Sequence, residues 1–165
     1  MKKLMMTMVA LVMAISANAQ YLNDSQKVFS QGKWYLGTSF SGLDLAYQKA
    51  SDWTLQLQAK GGYLFTDDWM IIGQATYLAQ TDYPTAIELG AGLRYYFESC
   101  GIYAGATANY FHYDDFSDFR PELSVGYAYF LTGKLTIEPE VYYLHSTKSS
   151  DYSGFGLRLG FGVYF

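Results

Sequence analysis

From Trp34 onward apolar residues recur at every second position, with small or polar residues between them. The last segment shows it most plainly. Phe155, Leu157, Leu159, Phe161, Val163 and Phe165 share one face, while Gly154, Gly156, Arg158, Gly160, Gly162 and Tyr164 share the other. Period two marks a strand with unlike faces, because successive side chains leave a pleated backbone on opposite sides. Earlier greasy rows are Trp34, Leu36, Thr38 and Phe40; Trp53, Leu55, Leu57, Ala59, Tyr63 and Phe65; then Trp69, Ile71, Gly73, Ala75 and Tyr77. Next come Ile87, Leu89, Ala91, Leu93, Tyr95 and Phe97, followed by Ile102, Ala104, Ala106, Ala108 and Tyr110. Leu123, Val125, Tyr127 and Tyr129, then Leu135, Ile137, Val141 and Tyr143, bring the total to eight segments, predicting an all-β chain. Pro139 falls in the middle of the seventh, where a paired strand has no use for a residue without an N–H.

Alternation alone also suits a soluble sandwich, so the charges decide which face meets what. Lys60, Glu88, Arg94, Glu122, Glu138, Glu140 and Arg158 all lie opposite the greasy rows, and a slip of one residue would turn the whole set outward. Most of the 16 Gly share that polar face with Tyr35, Tyr96, Tyr103, Phe111, Phe130, Tyr142 and Tyr164. Small residues beside large ones suit a narrow, concave interior, whereas an outer face in water would be rich in Lys, Glu and Thr. The pattern therefore predicts a closed eight-stranded antiparallel transmembrane β-barrel with its greasy face toward lipid. The composition agrees, since 50% of residues are hydrophobic yet the mean hydropathy is close to zero. Grease and polarity cancel along the chain because they are sorted by face.

Placing both termini on the periplasmic side gives two aromatic belts. Trp34, Phe65, Trp69, Phe97, Tyr129 and Phe165 fall at strand ends on that side, and Trp53, Tyr77, Tyr110, Tyr143 and Phe155 on the other. From Phe155 to Phe165, steps of about 3.4 Å at a tilt near 40° span roughly 25 Å, the height of an outer-membrane apolar band. Connections at Thr66–Asp68, Glu98–Gly101 and Thr132–Lys134 are short. Those around Leu43–Asp52, Gln80–Pro84, Asp114–Arg120 and Ser146–Ser153 are expected to be longer, outward-facing loops.

The N-terminus reads differently. Lys2 and Lys3, an apolar run from Leu4 to Ile15, and Ala17-Asn18-Ala19 have the form of a secretory signal peptide, expected at 1–19 and cleaved before Gln20. Residues 20–32 would then be a periplasmic segment and 33–165 the barrel. Cleavage removes two Lys and no acid, leaving the chain more acidic than its net charge of −4, which argues against a nucleic-acid partner. Cys100 is alone, and neither a disulfide framework nor a metal-ligand spacing is present.

The stretch Gly62-Tyr63-Leu64-Phe65-Thr66-Asp67-Asp68-Trp69-Met70-Ile71-Ile72-Gly73 resembles a periplasmic hairpin of the small OmpX-like and OmpA N-terminal-like barrels, most of all the outer-membrane β-barrel domain proteins of Bacteroidota. The ending Gly160-Phe161-Gly162-Val163-Tyr164-Phe165 is similar to the signal read by the barrel-assembly machinery, carried by Phe161, Val163 and Phe165. The resemblance implies a monomer in the outer membrane of a Gram-negative cell, with outer-membrane lipids and lipopolysaccharide as surroundings. It implies no active site or cofactor.

An eight-stranded barrel is just wide enough for side chains to fill, so the seven inward charges are expected to form an ion-pair network rather than line an open channel. A narrow, low-conductance path through the same residues is the alternative. A lipid A-modifying enzyme would need a nucleophile and a base. His145-Ser146 is the one suggestive pair, His112 is the only other histidine, and adjacent strand residues face opposite ways. The acids and aromatics of Tyr113, Asp114, Asp115, Phe116, Asp118 and Phe119 are a candidate outer-loop patch for an extracellular ligand or host surface.

Overall fold

The eight alternating segments become eight strands: β1 (Trp34–Ser41), β2 (Thr54–Thr66), β3 (Trp69–Gln80), β4 (Tyr83–Tyr96), β5 (Ile102–Tyr113), β6 in two pieces (Phe116–Tyr127 and Tyr129–Phe130), β7 (Leu135–Leu144) and β8 (Gly154–Tyr164). The computed structural model describes residues 29–41, 54–80, 83–97, 100–113, 116–148 and 153–165. The expected leader, residues 20–28, Trp53, Asp114 and Asp115 lie outside the described residues, as do the side chains of Tyr113 and Phe116.

Each strand pairs antiparallel with its neighbours in sequence, and β1 also pairs with β8 through Leu36↔Val163 to Phe40↔Leu159. Every strand has two partners, so the sheet closes and leaves no edge along these ladders. Trp34 and Phe165 exchange backbone hydrogen bonds of 2.7 and 3.0 Å. The start of β1 and the end of β8 therefore meet at one mouth, called the terminus-side mouth below. At that mouth Asp68 closes the β2–β3 turn at φ 64°, a left-handed conformation that a short polar side chain tolerates.

The greasy rows point outward. Trp34, Leu36, Ile71, Ile87, Leu89, Leu123, Val125 and Phe155 all have more than half their surface exposed, and the interleaved residues are buried or half-buried. Tyr127 is the exception. It keeps the outward phase but is only 4% exposed, with its ring close to Gly101, whose φ of 73° brings the β4–β5 turn against Ala128.

Pro139 is accommodated by a gap in one ladder. Pairing between β6 and β7 stops after Gly126↔Glu140 and resumes at Tyr129↔Ile137 in the same register. Tyr127 and Ala128 face Pro139 and Glu138 across this gap, and the Ala128 N–H turns to Gly101 O at 2.8 Å. On its other side Pro139 stays in register with Leu159 of β8. No residue is inserted, because only one donor has to be forgone.

Two outer connections are shorter than expected. Strands run through Gln80 and from Tyr83, and through Tyr113 and from Phe116, leaving only 81–82 and 114–115 between them. Period two in fact persists upstream of Pro121, so Ser117 to Arg120 belong to β6 rather than to a loop.

Candidate functional site

The polar face fills the barrel in three tiers. At the terminus-side mouth Phe29, Leu64, Met70, Ile72, Tyr96 and Tyr164 form an apolar and aromatic layer. Space for the tyrosines comes from glycine. A Cβ on Gly126 or Gly156 would collide with the ring of Tyr103 or Tyr142, the residue opposite on the adjoining strand.

The middle tier holds the charges. Glu140 of β7 is register partner to Arg158 of β8, whose Nη1 donates to Oε1 at 2.7 Å. Lys60 of β2 donates to the same oxygen at 2.9 Å, and Arg94 of β4 reaches Oε2 at 3.4 Å, beside the Tyr103 hydroxyl at 3.1 Å. Arms from three strands thus converge on one carboxylate, Arg158 from the adjoining strand and Lys60 and Arg94 across the lumen. Glu138 takes Arg94 at 3.0 Å together with the hydroxyls of Tyr35, Thr136 and Tyr164. Arg158 grips Glu122 with two parallel bonds of 3.1 and 3.0 Å, the strong bidentate geometry. Six of the seven inward charges therefore form one connected chain, and only Glu88 stands apart. Two voids flank the Lys60–Glu140 contact, and the larger holds about 10 Å³, no more than one water requires.

Glu88 belongs to the third tier, near the far mouth, where Arg120 lies 3.7 Å away. Arg120 also donates to Asp118 at 2.9 Å and stacks its guanidinium 3.8 Å from the centre of the Phe111 ring. Asp118 further accepts from Ser146 at 2.6 Å and Thr147 at 3.2 Å, tying β6 to the chain after β7. Asp118 is thus not part of an exposed patch, being only 1% exposed. Phe119 is exposed and pairs in register with Tyr110, at the height of the far aromatic belt. Asp118 and Arg120 are the interior charges that the sequence reading missed. Their even-numbered phase with Glu122 was the available signal.

His145 is exposed whereas Ser146 is buried, its hydroxyl committed to Asp118, so this pair does not form a nucleophile and base. A contact not foreseen joins His112 Nδ1 to Ser117 Oγ at 3.0 Å across the β5–β6 hairpin, on the outward face. Of the expected belt residues, Trp34, Phe65, Trp69, Phe97, Tyr129 and Phe165 are exposed around the terminus-side end, and Tyr77, Tyr110 and Phe155 around the other, where Tyr143 is half-buried against Phe155.

No protein-family model matches the chain, and no curated protein matches it. Solved structures do. The N-terminal β-barrel domain of Pseudomonas aeruginosa OprF is 14% identical with a TM-score of 0.62, covering 82% of this chain and 98% of that one. Yersinia pestis Ail is 14% identical at a TM-score of 0.56, covering 82% and 100%. A de novo designed transmembrane β-barrel, 12% identical at 0.54, covers 82% and 98%. Likeness to a designed barrel as well as to natural ones carries architecture and no activity. By fold and by surface, this chain is a transmembrane β-barrel of the small eight-stranded outer-membrane type.

Proposed function

We propose that the protein is a non-conducting, envelope-stabilising outer-membrane barrel, with its terminus-side mouth toward the periplasm. The observation that carries this is Glu140, met across the lumen by Lys60 and Arg94 and from the adjoining strand by Arg158, with room for about one water beside them. Buried charges of both signs, each with an opposite partner, specify one arrangement of strands and shut the lumen. The exposed Phe161, Val163 and Phe165 suit recognition of the last strand by the barrel-assembly machinery, and the belts suit outer-membrane lipids and lipopolysaccharide. Purified protein in planar bilayers should show no stable conductance. Reproducible nanosiemens steps would favour the narrow-channel alternative.

A second reading, binding at the cell surface, draws on the β5–β6 hairpin tip at 113–116 and on likeness to a protein described as the attachment invasion locus protein of Yersinia pestis, 16% identical at a TM-score of 0.50. Cell-binding assays with the tip replaced by Gly and Ser test it.

A further inference from the structure

The strap before β1 belongs to no strand, yet it closes one end of the sheet. Phe29 is 7% exposed, and its ring stacks on Tyr96 with centroids 4.0 Å apart and planes 13° from parallel. Tyr164 meets it edge-on at 5.7 Å, and Phe130 stands tilted at 5.8 Å. The rings of this seat have partners besides Phe29. The Tyr96 and Tyr164 hydroxyls lie 2.8 Å apart, Tyr164 donates to Glu138 at 3.1 Å, and Arg94 donates to Tyr96 at 3.3 Å, so the ionic tier holds the rings from below.

Among the described residues, the strap's hydrogen bonds go to the β2–β3 hairpin. Gly32 N–H donates to Leu64 O at 2.8 Å, and Asp68 N–H donates to Phe29 O at 2.9 Å. Gln31 adds bonds to Asp67 Oδ1 at 2.9 Å and to Phe65 O at 3.0 Å. Breaking these bonds unpairs no strand, since the β1–β2 ladder begins at Trp34↔Tyr63. Gly32, at φ 91° with open space around it, is placed to act as the hinge.

We propose that Phe29–Gly32 is a removable cap, and that the seat beneath it is a preformed site for one small, uncharged aromatic ring. The ligand class follows from the lining. Ring faces and aliphatic side chains meet Phe29, while the tyrosine hydroxyls are engaged with one another and with the charges below. A seat whose walls are braced leaves a cavity when its occupant goes, and an apolar cavity of that kind takes up apolar rings. This inference does not depend on the absence of conductance or on which side of the membrane the mouth faces.

Two measurements on the full chain in detergent micelles test it. In the wild-type protein, the Gly32 and Asp68 amides should exchange with solvent faster than ladder amides of β3, through local release of the cap. Protection of both equal to that of β3 would overturn the proposal. In Phe29→Ala, added benzene or indole should raise the unfolding midpoint, and in wild type by less, because the ligand must first displace Phe29 from the seat. A folded variant with no shift, or an equal shift in both proteins, would refute the site. Phe29→Leu, a smaller loss of volume, carries the same ligand comparison if Phe29→Ala does not fold, and no greater shift than in wild type would refute the site.

Discussion

Replacing Glu140 by Gln tests the charge tier at its hub. The side chain keeps its size and loses its charge, and the consequences for its three cations differ. Arg158 retains its two bonds to Glu122, and Arg94 retains Glu138 at 3.0 Å. Lys60 retains no carboxylate, because Glu140 is its ion-pair partner. Its side chain is 5% exposed, so an ammonium would be stranded inside the barrel. Removing one partner of a buried pair costs about 3–5 kcal/mol, mostly for the charge left behind. Lys60→Met should cost less, since Glu140 would still face Arg158 at 2.7 Å and Arg94 at 3.4 Å. Combining the two should restore part of the loss, with a coupling of about 1–3 kcal/mol. The assay is equilibrium urea unfolding in lipid vesicles, followed by the heat-modifiable shift of the folded band. If Glu140→Gln costs less than Lys60→Met, or the double variant is simply additive, Glu140 is not the hub that the distances make it.

Four further outcomes are expected. Gly156→Ala should destabilise by about 1–3 kcal/mol through overpacking against the Tyr142 ring, while Gly154→Ala, with open space around it, should be near neutral; equal effects would show that the interior is not packed as described. Leu159→Arg, near the middle of the apolar band, should cost about 2–4 kcal/mol in bilayers and Phe165→Arg at the boundary about 0–1, a gradient whose absence would argue against the membrane placement. Pro139→Ala should shift the urea midpoint little and leave the fold unchanged, because Gly126↔Glu140 and Tyr129↔Ile137 already hold the register on either side. Deleting 114–119 should impair assembly by removing Asp118 from Ser146, Thr147 and Arg120, whereas replacing only 114–115 should not; equal folding yields for the two would deny Asp118 its tying role.

Strand number, the faces of the alternating segments among the described residues and the inward direction of seven charges were legible in the chain. Each is a local property, because a strand's faces are set by period two and one greasy row admits a single phase. Where β6 begins was misread, since Asp118 and Arg120 look like loop residues until their phase is matched to Glu122. Tertiary structure alone decided which charges meet. Lys60, Arg94 and Glu140 come from strands far apart in sequence, and their convergence depends on closure and on the stagger between strands. The gap that accepts Pro139 is likewise a property of a strand pair, and the burial of Phe29 needs a mouth that exists only once β1 and β8 have joined. Periodicity along a chain can say that a side chain points inward, and only the closed barrel sets what it finds there.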